Sequence, residues 1–266
     1  MSKFVTSGDE IEPGREPHNF DMKSDIYLSV IIPAFNEGKR IGRTLRTIDS
    51  YFRNEPYLYE IIVVDDGSTD DTRDLVKGLT ASIRHLSCMG RKDNRGKGYT
   101  VREGMLHAGG KIRLFTDADN STDISHFDAM KPFFDEGYDL VVGSRSQKDA
   151  PGAGQTVSQP PHKRFFGSAG NLMIRKFVLP RIWDTQNGFK AFRNHAATDI
   201  FSMARVDGWG FDIEALALAR NHGYRMGFIP VRWVNHPESR VRFTSYFEVF
   251  FEAVRVRRNL ARGAYR

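Results

Sequence analysis

Two apolar runs, "YLSVIIPAF" (27–35) and "YEIIVVDDG" (59–67), are rich in β-branched residues and stop abruptly at polar ones. Runs of this length without alternation suit strands buried on both faces of a parallel sheet. The first is followed by a stretch in which Ile41, Leu45 and Ile48 recur at helical spacing. The second is followed by "STDDTRDLVKGLT", where Ser68 or Thr69 is placed to cap a helix. "IRHLSCM" reads as a weaker strand, and "NRGKGYTVREGMLHAG" as a glycine turn opening a helix. "KIRLFTDAD" (111–119) predicts the next strand, "DISHFDAMKPFFDEG" a helix and "YDLVVGSR" (138–145) another strand. After a loop rich in Gly, Pro, Ser and Gln, "RFFGSAGNLMIRKFVL" and "GFDIEALALARNHG" read as helices and "YRMGFIPVRWV" as a strand. Strands alternating with helices predict an α/β fold with a mostly parallel sheet covered on both faces.

In such sheets ligands collect at the carboxyl ends of the strands. Four predicted strands end in reactive groups: Asn36-Glu37, Asp65-Asp66, Asp117/Asp119 and Ser144-Arg145. One such ending is a helix cap; four on one edge make a site. If Asp117 and Asp119 continue their strand, they share a face, because side chains two apart on a strand point the same way. Like charges so close need a compensating cation. Mg²⁺ or Mn²⁺, which take oxygen ligands and share them with substrate phosphates, fits that need. The plain alternative is that Asp119 or Asn120 starts the next helix.

Composition narrows the classes further. The chain has 266 residues and a net charge of +6. From Arg240 onward there are seven arginines and two glutamates, so nearly all the excess sits in the last 27 residues. A general nucleic-acid binder would spread its basic surface more widely; one anionic partner near the C-terminal region is expected instead. Tyr246, Phe247, Phe250, Phe251 and Val254 fall on one helical face there, which predicts an amphipathic helix lying on an anionic membrane. No window is long and apolar enough for a membrane span. The single cysteine, Cys88, excludes an internal disulfide and is read as a small buried residue in a reducing compartment. The expected organisation is a flexible leader (1–25), a sheet domain (26–242) and the basic C-terminal helix (243–266).

The motifs "LSVIIPAFNEGKRI", "EIIVVDDGSTDDT", "NRGKGYTVREGM", "LFTDAD", "VVGSR", "DTQNGFKAF" and "GWGFDIEALALA" stand in the order seen in glycosyltransferase family 2. Over roughly 27–242 the chain resembles that family, most of all its dolichyl-phosphate glucosyltransferase and mannose synthase branch. The resemblance implies a GT-A fold and inverting, metal-dependent transfer of a hexose to a polyprenyl phosphate, peripherally on the cytoplasmic face of a membrane. It implies that Pro33, Phe35, Glu37 and Asp65 surround the nucleoside and that Lys97 lines the same pocket. Asp117 would lie near the ribose and metal, Asp119 would be the principal metal ligand, and Arg240 would reach the donor phosphates. Arg145, Arg164 and Ser168 match positions that hold the acceptor phosphate. UDP-glucose is the favoured donor, with GDP-mannose the other choice. Ser121 stands where mannose synthases often place a further metal-ligating Gln. The competing expectation is transfer to a sugar hydroxyl, with Asp212 or Glu214 as the base. His162, beside Lys163-Arg164, is read as a loop histidine.

Overall fold

The computed structural model describes residues 25–155, 174–234 and 243–265. Seven strands form one sheet in the order β3-β2-β1-β4-β7-β5-β8. They are β1 (Leu28–Ala34), β2 (Tyr59–Asp66), β3 (Leu86–Arg91), β4 (Ile112–Thr116), β5 (Leu140–Ser144), β7 (Phe189–Arg193) and β8 (Met226–Pro230). Short strands β6 (Gly154–Gln155) and β9 (Arg232–Trp233) pair separately. β1, β2, β3 and β4 run parallel, as do β5 and β8. β7 is antiparallel to both β4 and β5, between which it lies.

Alternation along the buried strands divides the core in two. Val30, Ile32, Ile61, Val63 and Leu114 face one side, where Ile41, Leu45, Ile48 and Phe52 of α1 (Ile41–Phe52) meet them. Ile31, Ile62, Val64 and Phe115 face the other side and pack on α3 (Lys97–His107), α5 (Asn194–Met203) and α6 (Phe211–Asn221). Both faces are thus covered, which is why these strands read as continuous apolar runs.

Three readings change. β4 ends at Thr116, so Asp117 and Asp119 lie in a turn rather than on a strand. Asn120 closes that turn: its φ is 53° and its N–H lies 3.4 Å from Asp117 O. The helix expected through 123–137 is a 3-10 segment (Ile124–Ala129) followed by the short α4 (Lys131–Asp135). Finally, α2 (Thr72–Leu79) is not capped by Ser68 or Thr69; Asp70 Oδ1 accepts from Thr72 N at 3.0 Å. Ser68 Oγ instead accepts from Asn36 N at 2.8 Å, tying the ends of β1 and β2 together.

The C-terminal helix α7 (Phe243–Ala261) docks on α6: Ala253, Val256 and Tyr265 share its core. Glu252 accepts from Gly210 N at 2.7 Å, and Tyr265 donates its hydroxyl to Glu214 Oε1 at 2.6 Å. Phe247, Phe250, Phe251 and Val254 remain exposed on the opposite side. Among the described residues, no helix is long and apolar enough to cross a membrane.

Candidate functional site

β1 has β2 on one flank and β4 on the other, so the crevice at its carboxyl end is the switch point where ligands settle in doubly wound sheets. Pro33 is buried in β1, and Phe35 beyond it is exposed. Glu37, 8% exposed, holds Arg40 through both its carboxylate oxygens, Arg40 Nη2 lying 2.9 Å from Oε1. Asp65 is buried at the end of β2, where Ser68 N donates to it at 3.3 Å and Arg73 Nε stands 3.2 Å away. Asp66 folds the next loop: it accepts from Arg95 N at 2.9 Å and Gly96 N at 2.8 Å. Gly96 has φ +100°, and a Cβ there would meet Asp207 O at 2.4 Å. Only glycine permits this turn. It delivers Lys97 at the head of α3, with Nζ 2.5 Å from Asp117 Oδ1.

The aspartate turn is pinned from behind, where Thr44 of α1 donates to Ala118 O at 2.8 Å. Each carboxylate then has its own cation, Lys97 on Asp117 and Arg40 on Asp119, the latter at 3.6 Å. Ser121 N donates to Asp119 Oδ1 at 2.9 Å. Burial works against the Lys97 ammonium. Asp117, with Asp212 and Asp119 beyond it, outweighs that penalty and holds its pKa above the ordinary lysine value.

β7 closes the site from the other side. Gly188 lies so close to Asp117 that a Cβ would stand 2.1 Å from Oδ2. Lys190 is fully buried; its Nζ donates to Asp212 Oδ1 and to Asn187 O, each at 2.6 Å. Burial pushes the Asp212 carboxyl above the usual range, while Lys190 and Lys97 pull against it. Glu214 is turned elsewhere, accepting from Arg205 N at 2.9 Å, Val206 N at 2.8 Å and the Tyr265 hydroxyl. With both its oxygens engaged away from the aspartate turn, it is unsuited as a base, which corrects one of the two bases expected from the sequence.

Arg145, just beyond β5, is gripped by Asp184 through Nε at 2.8 Å and Nη2 at 2.7 Å. Burial disfavours its charge, yet Asp184 keeps its pKa raised, with Asp117 and Asp212 adding to the same field. The structure therefore brings together Pro33, Phe35, Glu37, Asp65, Lys97, Asp117, Asp119 and Arg145 along one sheet edge. Arg164, Ser168, Arg240 and His162 lie outside the described residues. Lys190, Asp184, Gly188 and Arg40 escaped the sequence reading. A lysine inside a buried strand is a legible signal for the first; the others depend on partners distant in the chain.

The donor set suits one hard cation completed by substrate oxygens. Asp117 and Asp119 offer oxygens at a crevice, and no group of three or more His, Cys, Asp or Glu residues placed for a metal occurs among the described residues. Mg²⁺ commonly takes one or two carboxylates and substrate phosphates in this way.

The sequence model for "Glycosyl transferase family 2" matches residues 29–201, more than half of the chain. The protein belongs to glycosyl transferase family 2. Among curated members, the dolichyl-phosphate beta-glucosyltransferase of Saccharomyces cerevisiae is 33% identical, covering 83% of this chain and 70% of its own length. The Dictyostelium discoideum enzyme of the same name is 32% identical over 88% of this chain and 74% of its own. Among solved structures, glucosyl-3-phosphoglycerate synthase from Mycobacterium tuberculosis, in complex with Mn²⁺, uridine diphosphate and glucosyl-3-phosphoglycerate, superposes with a TM-score of 0.63. It is 17% identical and covers 93% of this chain and 85% of that one. The GT-A fold expected from the sequence is therefore present, and the chain is a glycosyltransferase.

In this family 2 enzyme a Gly188→Ala change should displace the Asp117 carboxylate from Lys97. Misplacement by about 1 Å at a reacting centre costs roughly 10²-fold, so with Asp117 serving there turnover should fall by that order. The melting temperature should drop as well, because Lys97 loses its close partner. Unchanged turnover would show that the Asp117 position is not critical.

Proposed function

We propose that this glycosyltransferase moves glucose from UDP-glucose to a polyprenyl phosphate, with inversion, at the cytoplasmic face of a membrane. The observation that carries the reading is Arg145, a guanidinium immobilised by Asp184 at the same sheet edge as the aspartate turn. Asp184 takes its Nε–Nη2 edge, and the Nη1 end of the guanidinium can meet a phosphate monoester.

Such an acceptor has a second pKa near about 6 and already offers an anionic oxygen at neutral pH. It attacks the sugar C1 as the C1–O bond to the diphosphate breaks, so no base need take a proton. The chain's residues have two tasks. Arg145, with Arg164 and Ser168 carried over from the family resemblance, holds the acceptor phosphate against electrostatic repulsion. Arg240 neutralises the donor phosphates, and Pro33, Phe35, Glu37, Asp65 and Lys97 line the nucleoside pocket. Mg²⁺ or Mn²⁺ held by Asp117 and Asp119 supplies positive charge for the departing diphosphate.

The exposed face of α7 supports the membrane location. Phe247, Phe250, Phe251 and Val254 stand at i, i+3, i+4 and i+7, while Arg255, Arg257, Arg258 and Arg262 are exposed just beyond them. The side chain of Tyr246 lies outside the description. Aromatics entering the headgroup boundary beside arginines at about 1 kcal/mol each describe an interfacial helix.

A second reading, transfer to a sugar hydroxyl, draws on Asp212, whose raised pKa is the kind a general base needs. Mass spectrometry separates the two. The purified protein, Mg²⁺ and either UDP-glucose or GDP-mannose are supplied with polyprenyl phosphate in anionic vesicles or with soluble glycans. Glucosyl polyprenyl phosphate is the expected product. A Phe247→Ser/Phe251→Ser variant should lose roughly tenfold or more in vesicle binding, in line with removing two interfacial aromatics, yet still use a short soluble prenyl phosphate. Glycan products alone would overturn the acceptor assignment, and a mannosyl lipid product the donor.

A further inference from the structure

Helix α1 begins in an unusual way. Its N-cap is Arg40, which makes no side-chain hydrogen bond to the helix. N-caps are ordinarily Ser, Thr, Asp or Asn, and a cation at this end opposes the helix dipole. The ion pair with Glu37, three residues back, offsets that cost locally, and the part of the side chain it does not explain is the lean of Nη1 toward Asp119. The guanidinium thus goes to two carboxylates. Glu37 takes it along one edge, through Nε and Nη2, and Nη1 leans toward Asp119 Oδ2 at 3.6 Å. The grip on Glu37 is close and bidentate; the approach to Asp119 is longer and purely electrostatic. Arg40 is therefore anchored at Glu37, with its charge held against Asp119.

We propose that Arg40 is an internal counter-ion for Asp119, which makes divalent-cation binding depend on the nucleoside diphosphate. This rests on the metal-dependent reading above. A divalent cation reaching Asp119 alone meets a fixed positive charge a few ångströms away, and Lys97 guards Asp117 in the same manner. A diphosphate changes both terms. Its oxygens can accept from Nη1, which Glu37 does not hold, and offer the cation additional ligands. Nucleotide and cation then each favour the other's binding, and by linkage the coupling is equal in both directions.

The test is Mn²⁺ binding to the full chain, read by electron paramagnetic resonance of the free ion, with and without UDP. In the unaltered protein UDP should tighten Mn²⁺ binding by a factor in the usual coupling range, about 5–150-fold. In Arg40→Gln, Mn²⁺ alone should bind about tenfold more tightly, and the gain from UDP should shrink accordingly. Arg40→Lys keeps the charge and should leave Mn²⁺ alone weakly bound; melting curves verify that both variants fold. Should Arg40→Gln misfold, Arg40→Lys still decides: Mn²⁺ binding without UDP that tightens in this charged variant overturns the proposal. Unchanged or weaker Mn²⁺ affinity in folded Arg40→Gln, with UDP coupling intact, overturns the counter-ion role alone. Absence of Mn²⁺ binding to the unaltered protein even with UDP overturns the metal-dependent reading and this inference together.

Discussion

Asp119→Ala should lower transfer by roughly 10²–10³-fold, with folding retained. Positive charge placed at a departing diphosphate is worth several kcal/mol, and each 1.36 kcal/mol is tenfold in rate. Asp119 is partly exposed, and among the described residues it meets the Arg40 charge and accepts one backbone N–H from Ser121, with Lys97 in the same field. Its loss therefore removes little packing. The discriminating measurement is turnover against Mg²⁺ or Mn²⁺ concentration, beside a melting curve. A variant whose turnover stays near normal in chelator-treated buffer would remove Asp119 from any metal role.

Lys190→Met should be the most damaging single change for stability. Lys190 and Asp212 are both buried, and removal of one partner leaves an uncompensated charge, at a cost of roughly 3–5 kcal/mol. For a chain of this size that is a drop of about 10 °C or more in Tm. The pH dependence has a definite sign. Burial already raises Asp212, and without Lys190 the carboxyl rises further. The folded protein then binds more protons than the unfolded one, whose Asp pKa is about 3.9. Stability of the variant should fall as pH increases from about 4 through the raised folded pKa, and the loss should ease in acid. Lys190→Met/Asp212→Asn should recover much of the loss, because no unpaired charge remains. A single variant melting like the unaltered protein at neutral pH would show that the pair carries no stability.

Much of the parallel sheet was legible because its strands are buried on both faces and so stand out as β-branched runs with polar ends. α1 was legible for a similar reason: Ile41, Leu45, Ile48 and Phe52 form one apolar stripe. α5 was not read. Two of its four buried residues are alanines, Ala196 and Ala197, whose small side chains give little periodic signal. β7 is not read as a strand either, and its direction is hidden, since antiparallel pairing depends on β4 and β5 rather than on the residues of β7. The same division holds at the site. Strand-end groups such as Glu37, Asp65, Asp119 and Arg145 were visible because local sequence places them. What each touches was not visible. Lys97 meets Asp117 across 20 residues and Arg145 meets Asp184 across 39. Such pairings are products of tertiary structure. The strand expected through Asp119 stops at Thr116, the last residue of β4 paired with β7, and Asn120 in a left-handed conformation turns the chain.

The position of β7 also orders events in time. Thr116 at the end of β4 pairs with Phe189, so the strand bearing Lys190, with Gly188 just ahead of it, arrives from far along the chain and inserts between β4 and β5. Contacts so distant in sequence carry the largest loop-closure cost and form late. A nascent chain can lay down β1 to β4, and with them the aspartate turn, before the strand that walls in Asp117 exists. Its carboxylates then face solvent without their Gly188 wall or the Lys190–Asp212 pair. Synthesis must pass Asp212, the partner of Lys190 on α6, before the walls around the aspartate turn are complete, and β8 must follow before the sheet itself is.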